Sequence, residues 1–377
     1  FMSSTSRPTV LLLFGGQSSE HQICCATSAG VMQAINPDRW NIIAVGITPD
    51  GQWVPQEVDP SIYQINDGQG HTVVAGDRRV ALLAGSRHLM EYSVDADGNH
   101  EPETARSPQK IDVVFPLLHG AYGEDGTLQG LLELTGIPYA GCGVASSAVA
   151  MDKALTKAVL HEGGLPVGQW VSVSPRRWNH DRDHVLEEID ELGLPVFVKP
   201  CRAGSSKGVI RVTDREKIPA AIAAAADHDP RVIVEAAFVG REVECGVLQR
   251  ADGTLTASPL GEIVVSGPAF YDYETKYFAA DDDVTLTCPA DLPEGAAERI
   301  RDAAVAAFET LEGEGLARVD FFYDPDSGEY AINEVNTLPG FTQFSMYPTM
   351  MGAAGVSYEE LIEQILEEAL GRKSGLR

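Results

Sequence analysis

Three near-continuous apolar runs constrain this chain more than any other feature: TVLLLFG at 9–15, NIIAVGI at 41–47 and IDVVFPLL at 111–118. A strand with one wet face alternates apolar and polar residues, whereas a run without alternation is buried on both faces, as in a parallel sheet sandwiched between helices. The first run leads through Gly15-Gly16 into a helical pattern, SSEHQICCATSAGVMQAI. The spacing therefore predicts an N-terminal strand–turn–helix, Rossmann-like unit over residues 1–150, with an α/β fold class. Residues 50–110, polar and rich in turn signals, read as an irregular insertion in that unit.

At 377 residues the chain exceeds what one core usually organises, so two or three domains are expected. A second unit, 151–235, begins at MDKALTKAVLHEGG, with Asp152 as candidate N-cap and Gly163-Gly164 as the stop, and runs to the strand RVIVEAAF. A third, 236–377, carries two amphipathic helical segments and the hairpin pattern ARVDFFYDPDSGEYAINEVN at 317–336.

The formal net charge of −27 argues against nucleic acid or an anionic membrane as partner. Six scattered cysteines without a C-x-x-C pair read as reduced thiols, and with no signal-peptide pattern a cytoplasmic protein is expected.

The hairpin raises a question of charge. With its turn centred near Ser327, Asp320 lies opposite Glu334 and Arg318 opposite Asn336 on one face. Opposed carboxylates destabilise a ladder unless something neutralises them. Asp320, Glu334 and Asn336 form an all-oxygen set suited to magnesium, which completes its octahedron with phosphates and water. The alternative is a solvated sheet face.

Phosphate recognition is the second signal. There is no Walker A pattern, and GCGVAS breaks the dinucleotide fingerprint at Ser146. Instead VFVKPCRAGSSKGV ends a strand on Lys199 and continues into a loop of glycines, hydroxyls and lysine that can fold over a triphosphate. Alone, GSSKG is equally an ordinary surface turn. Lys153, in a helix's first turn where a cation opposes the dipole, fits an anionic neighbour or a solvated surface position.

The stretches FGGQSSEH, HGAYGEDGTLQGLLEL, MDK, VFVKPCRAGSSKGV, FYDYETKY, ARVDFF and NEVNTLPGFTQFSMYP, in this order and spacing, resemble the D-alanine–D-alanine ligases of the ATP-grasp superfamily over essentially the whole chain. The resemblance implies an ATP-grasp fold, the N-terminal domain joined to two α+β subdomains that clamp ATP. It implies a reaction in which one D-alanine carboxylate takes the γ-phosphoryl group of ATP and the amine of a second D-alanine displaces phosphate, for peptidoglycan precursor synthesis. Magnesium is implied, as two ions that manganese can replace, and so is a homodimer. Ligases joining D-alanine to D-lactate or D-serine are the nearest alternative.

By the same resemblance Glu20, Ser205 and Tyr277 orient the first substrate, although by sequence alone Glu20 is a helix-dipole partner. His119 contacts that substrate, or is simply a satisfied buried histidine. Arg318 stabilises developing negative charge, or is a salt-bridge partner of Asp320 or Glu334. Lys153, Lys199, Lys276 and Ser206 hold phosphates; Glu235 and Glu242 contact adenine and ribose, with Phe270 stacking nearby. Ser345 and Met346 receive the second substrate's carboxylate, and Gly340 allows close backbone approach. GPAFYDYETKYFAADDD is expected to close over the reacting groups. Departures from the family pattern are Cys24 and Cys201, where members carry small residues, and VEAAF, which lacks a lysine after Glu235. A nicotinamide-dependent oxidoreductase lacks its glycine fingerprint, and a non-catalytic sensor has no use for the full set of acids and lysines.

Overall fold

The computed structural model describes residues 7–66, 68–101, 105–265 and 284–372. The first strand, β1 (Thr9–Gly15), leads into α1 (His21–Ala34), followed by β2 (Asn41–Ile47) and β3 (Trp53–Gln56). Strands β4 (Arg78–Leu82), β5 (His88–Val94), β6 (His100–Glu101) and β7 (Gln109–Lys110) precede β8 (Val113–Leu117). The order of the first sheet is β3-β2-β1-β8; β1 pairs parallel with both β2 and β8, and only the edge strand β3 is antiparallel.

β1 shows why the apolar run lacks alternation. Val10, Leu12 and Phe14 face one core with α1, while Leu11 and Leu13 face another. That second core corrects the expectation of an irregular insertion. Strands β4 to β7 form their own antiparallel sheet, and Val80, Leu89 and Ile111 pack with Leu11, Leu13 and Val45. Its polarity misled because the strands are wet on one side and bury only sparse apolar residues on the other.

Helices α2 (Thr127–Thr135) and α3 (Val144–Met151) lead to α4 (Lys153–Glu162). Asp152 caps α4 by accepting from the amides of Ala154 and Leu155, and Gly163 is its C-cap, as the sequence suggested. The next sheet is wholly antiparallel, in the order β11-β10-β12-β9, from β9 (Trp170–Val173), β10 (Val196–Pro200), β11 (Ile210–Val212) and β12 (Val232–Ala236). It is backed by α5 (Pro175–His180), α6 (Arg182–Leu192) and α7 (Ile218–Ala226), with Val185, Ile189 and Ile222 in its core.

A fourth sheet, of six strands, runs β16-β15-β13-β17-β18, with β14 paired to β13. Its strands are β13 (Arg241–Gln249), β14 (Leu255–Ala257), β15 (Gly261–Val265), β16 (Val284–Thr287), β17 (Leu316–Tyr323) and β18 (Tyr330–Asn336). Helix α8 (Glu294–Thr310) packs Ile300, Ala304 and Phe308 against it, and α9 (Met346–Ala353) and α10 (Tyr358–Gly371) close the chain. Ile362, Ile365 and Leu366 of α10 return to the core beneath β1, so the chain's end seals its beginning. Among the described residues no helix is long and apolar enough to cross a membrane.

Candidate active site

The β17–β18 hairpin pairs Arg318 with Asn336 and Asp320 with Glu334, the register read from the sequence. The route to that register differs. Phe321 pairs with Ile332, so Asn333 is an extra residue in a bulge, and the turn lies half a residue nearer the N-terminus than a regular ladder requires. The bulge lets Ile332 face the core and Glu334 the opposite side although they are two residues apart.

That side opens into a cavity of about 340 Å³, lined by Glu20, His119, Lys153, Ser205, Arg318, Glu334, Asn336, Gly340, Ser345 and Met346 among others. An adjoining cavity of about 260 Å³ is lined by Lys199, Ser206, Glu235, Glu242 and Asp320, and shares Lys153, Ser205, Arg318 and Glu334 with the first. Glu20 and His119, beside the N-terminal parallel sheet, therefore meet residues of the other two large sheets, such as Lys199 and Arg318, in these adjoining cavities. Phe270, Lys276, Tyr277 and the segment expected to close over the site lie outside the described residues.

The Ser205 hydroxyl donates to Glu20 Oε1 at 2.8 Å across 185 residues of chain. Ser205 and Ser206 both have positive φ, 53° and 57°, a strained geometry for side-chain-bearing residues that recurs at ligand sites. A Cβ on Gly120 or Gly204 would come within 3.1 or 3.4 Å of Glu20 Oε2, so both glycines let backbone close around this carboxylate. His119 Nδ1 pairs with the Leu338 carbonyl at 2.9 Å, and its amide donates to Cys24 Sγ at 3.2 Å. Cys24 thus supplies an acceptor where a hydroxyl would otherwise do so. Burial pushes its thiol well above the usual range. Cys201 is packed with Ala154 and Ile233 and lines neither cavity.

Arg318 bonds Asp320 through two contacts and reaches Glu244 Oε2 at 3.1 Å. Burial disfavours its charge, but Asp320 and Glu244 hold it firmly protonated. Of the sequence alternatives for Arg318, the pairing with Asp320 is present. The ammonium of Lys153 donates to the Ala203 carbonyl at 2.8 Å and lies 3.7 Å from Glu334 Oε2. Lys199 Nζ is 2.6 Å from Glu235 Oε2, and Lys157 Nζ is 3.4 Å from Oε1 of the same carboxylate. Although burial pushes Glu235 upward, Lys157 and Lys199 pull it down to about 2.

Ser345 is the N-cap residue of α9 and its hydroxyl joins Thr342 at 2.8 Å. A Cβ on Gly340 would lie 3.2 Å from that hydroxyl, which accounts for glycine there.

Four groups escaped the sequence reading. Glu124, in GEDG, binds the amides of Gly120 and Leu338; burial and the nearby Glu20 push its carboxyl up to about 8. Glu244 lies across the ladder from Asp320, and alternation along REVECG could have flagged it. Lys157 is one helical turn from Lys153, on the same face. Phe238 and Phe322, their rings stacked at 5.8 Å, line the second cavity.

Family models described as "D-ala D-ala ligase N-terminus" and "D-ala D-ala ligase C-terminus" match residues 9–142 and 159–367. The chain belongs to the D-alanine–D-alanine ligase family. Membership makes it a carbon–nitrogen ligase. It is 51% identical to a D-alanine–D-alanine ligase of Kineococcus radiotolerans, covering 100% of both chains. To one of Pseudarthrobacter chlorophenolicus it is 47% identical, over 98% of this chain and 96% of the relative. Its fold is the ATP-grasp fold of D-Ala–D-X ligases. The crystal structure of the VanG D-Ala:D-Ser ligase of Enterococcus faecalis aligns with TM-score 0.81 and 33% identity, covering 97% of this chain and 100% of that one. The D-alanine–D-alanine ligase of Coxiella burnetii aligns with TM-score 0.78 and 32% identity, over 97% and 95%.

Proposed function

We propose that this family member joins two D-alanine molecules at the expense of ATP, through an acyl phosphate, to supply the dipeptide of peptidoglycan precursors. The observation that carries the reading is one continuous cleft. It is lined together by a carboxylate–hydroxyl pair, Glu20 and Ser205, by a helix start at Ser345–Met346, and by Arg318 and Lys153. The geometry suits two amino acids meeting head to tail. Glu20 would hold the first ammonium, with His119 and Tyr277 completing that pocket. The unsatisfied amides opening α9 would receive the second carboxylate, with Gly340 beside them. Arg318 would neutralise charge as the carbonyl becomes tetrahedral, and positioning carries most of the rate.

ATP would occupy the second cavity, its phosphates near Lys153, Lys199, Ser206 and Lys276. The base would lie by Glu235 and the aromatic wall, with Glu242 at the ribose and Phe270 nearby. Residues 1–150 would then be the substrate domain, with 151–235 and 236–377 as the two halves of the nucleotide clamp.

Among the described residues no three acids, histidines or cysteines gather into a metal cluster. Asp320, Glu334 and Asn336 offer two carboxylates and an amide on one face, and such a sparse oxygen set fits magnesium completed by phosphate and water. When bound, magnesium ions, or manganese in their place, would screen charge between phosphates and carboxylates. We also propose a cytoplasmic homodimer, which sedimentation would check.

The test measures phosphate release from ATP and identifies the product with D-alanine, D-serine and D-lactate in competition. The dipeptide D-alanyl-D-alanine should dominate. A dominant D-serine or ester product would move the chain to the alternative ligases, and no release with any of the three would remove the reading altogether.

A further inference from the structure

Behind the nucleotide cavity lies a buried ion triad of two lysines and one carboxylate. Glu235 lines the cavity, whereas Lys157 does not and sits behind it. Lys199 is 9% exposed, Glu235 5% and Lys157 3%. Each lysine takes a different oxygen of Glu235, at 2.6 Å for Lys199 and 3.4 Å for Lys157. The two contacts are unequal in kind. Lys199 makes a true hydrogen bond, while Oε1, on the Lys157 side, has no hydrogen-bond partner although it is fully buried.

Glu235 is the one carboxylate in contact with both lysines, Glu334 and Glu242 acting on them only from farther off, so a second buried ammonium here favours the arrival of another anion. Lys199, at the wall of the cavity, is the cation positioned to meet one. If it turned to a phosphate with no other lysine present, Glu235 would be left as an isolated buried anion. It would then take up a proton or swing away, and a protonated acid no longer presents two acceptors.

We infer that Lys157 is a positioning residue for nucleotide selection: it keeps Glu235 ionised and in place when Lys199 shares itself with phosphate, so that Glu235 accepts from an amino-bearing purine and rejects an oxo-bearing one. The inference rests on the proposed use of ATP in this cavity. Helix α4 thereby delivers two ammonium groups from one face, Lys153 into the cleft and Lys157 beneath it. A site whose buried acceptor requires a donor discriminates strongly against a ligand bringing another acceptor.

The experiment compares Lys157→Met, close in length but uncharged, with Lys157→Arg and the unaltered chain, each supplied with ATP or GTP and saturating D-alanine. In Lys157→Met the KM for ATP should rise and the ratio of kcat/KM for ATP over GTP should fall by about tenfold or more, with Lys157→Arg in between. A merely structural lysine would lower activity with both nucleotides alike and leave the ratio unmoved. A folded Lys157→Met variant with the original ratio and KM overturns the inference. Should that variant fail to fold, Lys157→Gln carries the same expectation and the same refutation. An unaltered chain that turns over no ATP with D-alanine refutes the functional reading itself, a result distinct from an unchanged ratio.

Discussion

Arg318 grips Asp320 by two contacts, Nε to Oδ1 at 2.7 Å and Nη2 to Oδ2 at 2.8 Å, while the Asn336 amide donates to that same Oδ2 at 2.9 Å. Both oxygens of Asp320 are thus engaged by neighbours on the same hairpin, while Glu334 lies 3.7 Å from the Lys153 ammonium. Replacing Glu334 with Gln should keep the fold, because the residue is only partly buried. Ligase turnover should fall by about a hundredfold or more, the loss typical of removing one group that meets developing charge. Steady-state rates across a magnesium titration check this; near-normal turnover would refute the metal assignment.

Glu244 is the second anchor of Arg318, at 3.1 Å, and both are buried. With Glu244→Gln the guanidinium should lean wholly on Asp320, making that carboxylate harder to recruit. The magnesium concentration for half-maximal rate should rise several-fold. Stability should also fall, because the buried guanidinium loses one of the counter-charges paired with it. Urea denaturation alongside the titration measures both.

The contact between Ser205 and Glu20 fastens the loop after β10 to the start of α1. Ser205→Ala should weaken first-site D-alanine by about 1 kcal/mol, some fivefold in KM, with little change in melting temperature. A double-mutant cycle with Glu20→Gln should show the two losses to be less than additive; strict additivity would mean the contact has no role in binding.

Glu124 gives a pH dependence of defined sign. Its carboxyl is pushed up to about 8 by burial and by Glu20, above the ordinary value of 4.5. Between those values the folded chain holds a proton that the unfolded chain has released. The group's favourable contribution is therefore complete below about pH 4.5 and is lost as pH rises to about 8, at up to roughly 1.4 kcal/mol per pH unit. Glu124→Gln, which cannot titrate, should remove that slope. Denaturation midpoints of both chains at pH 5.5, 7 and 8.5 would reveal it, and parallel curves would count against it.

How much of this was legible in the residues depended on whether local pattern or distant contact decided the matter. The buried strands, the Asp152 cap and the Arg318–Asn336 and Asp320–Glu334 pairs follow from period, turn chemistry and parity, all local properties. The bulge at Asn333 broke the assumption of a regular ladder without disturbing the pairs that matter. The small sheet over residues 78–110 was obscured because its few apolar side chains are completed by Leu11 and Leu13, far off in sequence. Glu124 and Lys157 were missed for a similar reason. An acid in a glycine-rich loop and a lysine on a helix look solvated until the partners that bury them, Leu338 and Glu235, arrive from elsewhere in the chain. The site residues recognised by resemblance were legible only as a set, since Glu20 alone could not announce Ser205.

Past the bulge at Asn333, the tip of the hairpin is anchored differently from its strands. That tip, from Asp324 to Gly328, is held by its own hydrogen bonds, Gly328 N to Asp324 O at 2.8 Å and Ser327 Oγ to Asp324 Oδ2 at 2.6 Å, and by one contact from Arg299. β13 instead holds β17 on both sides of the bulge, from Leu316 to Tyr323, and stops short of that tip. Lengthening the tip should therefore leave the cleft undisturbed, which makes Asp326–Ser327 a natural place to graft a fluorophore or affinity peptide onto a working enzyme.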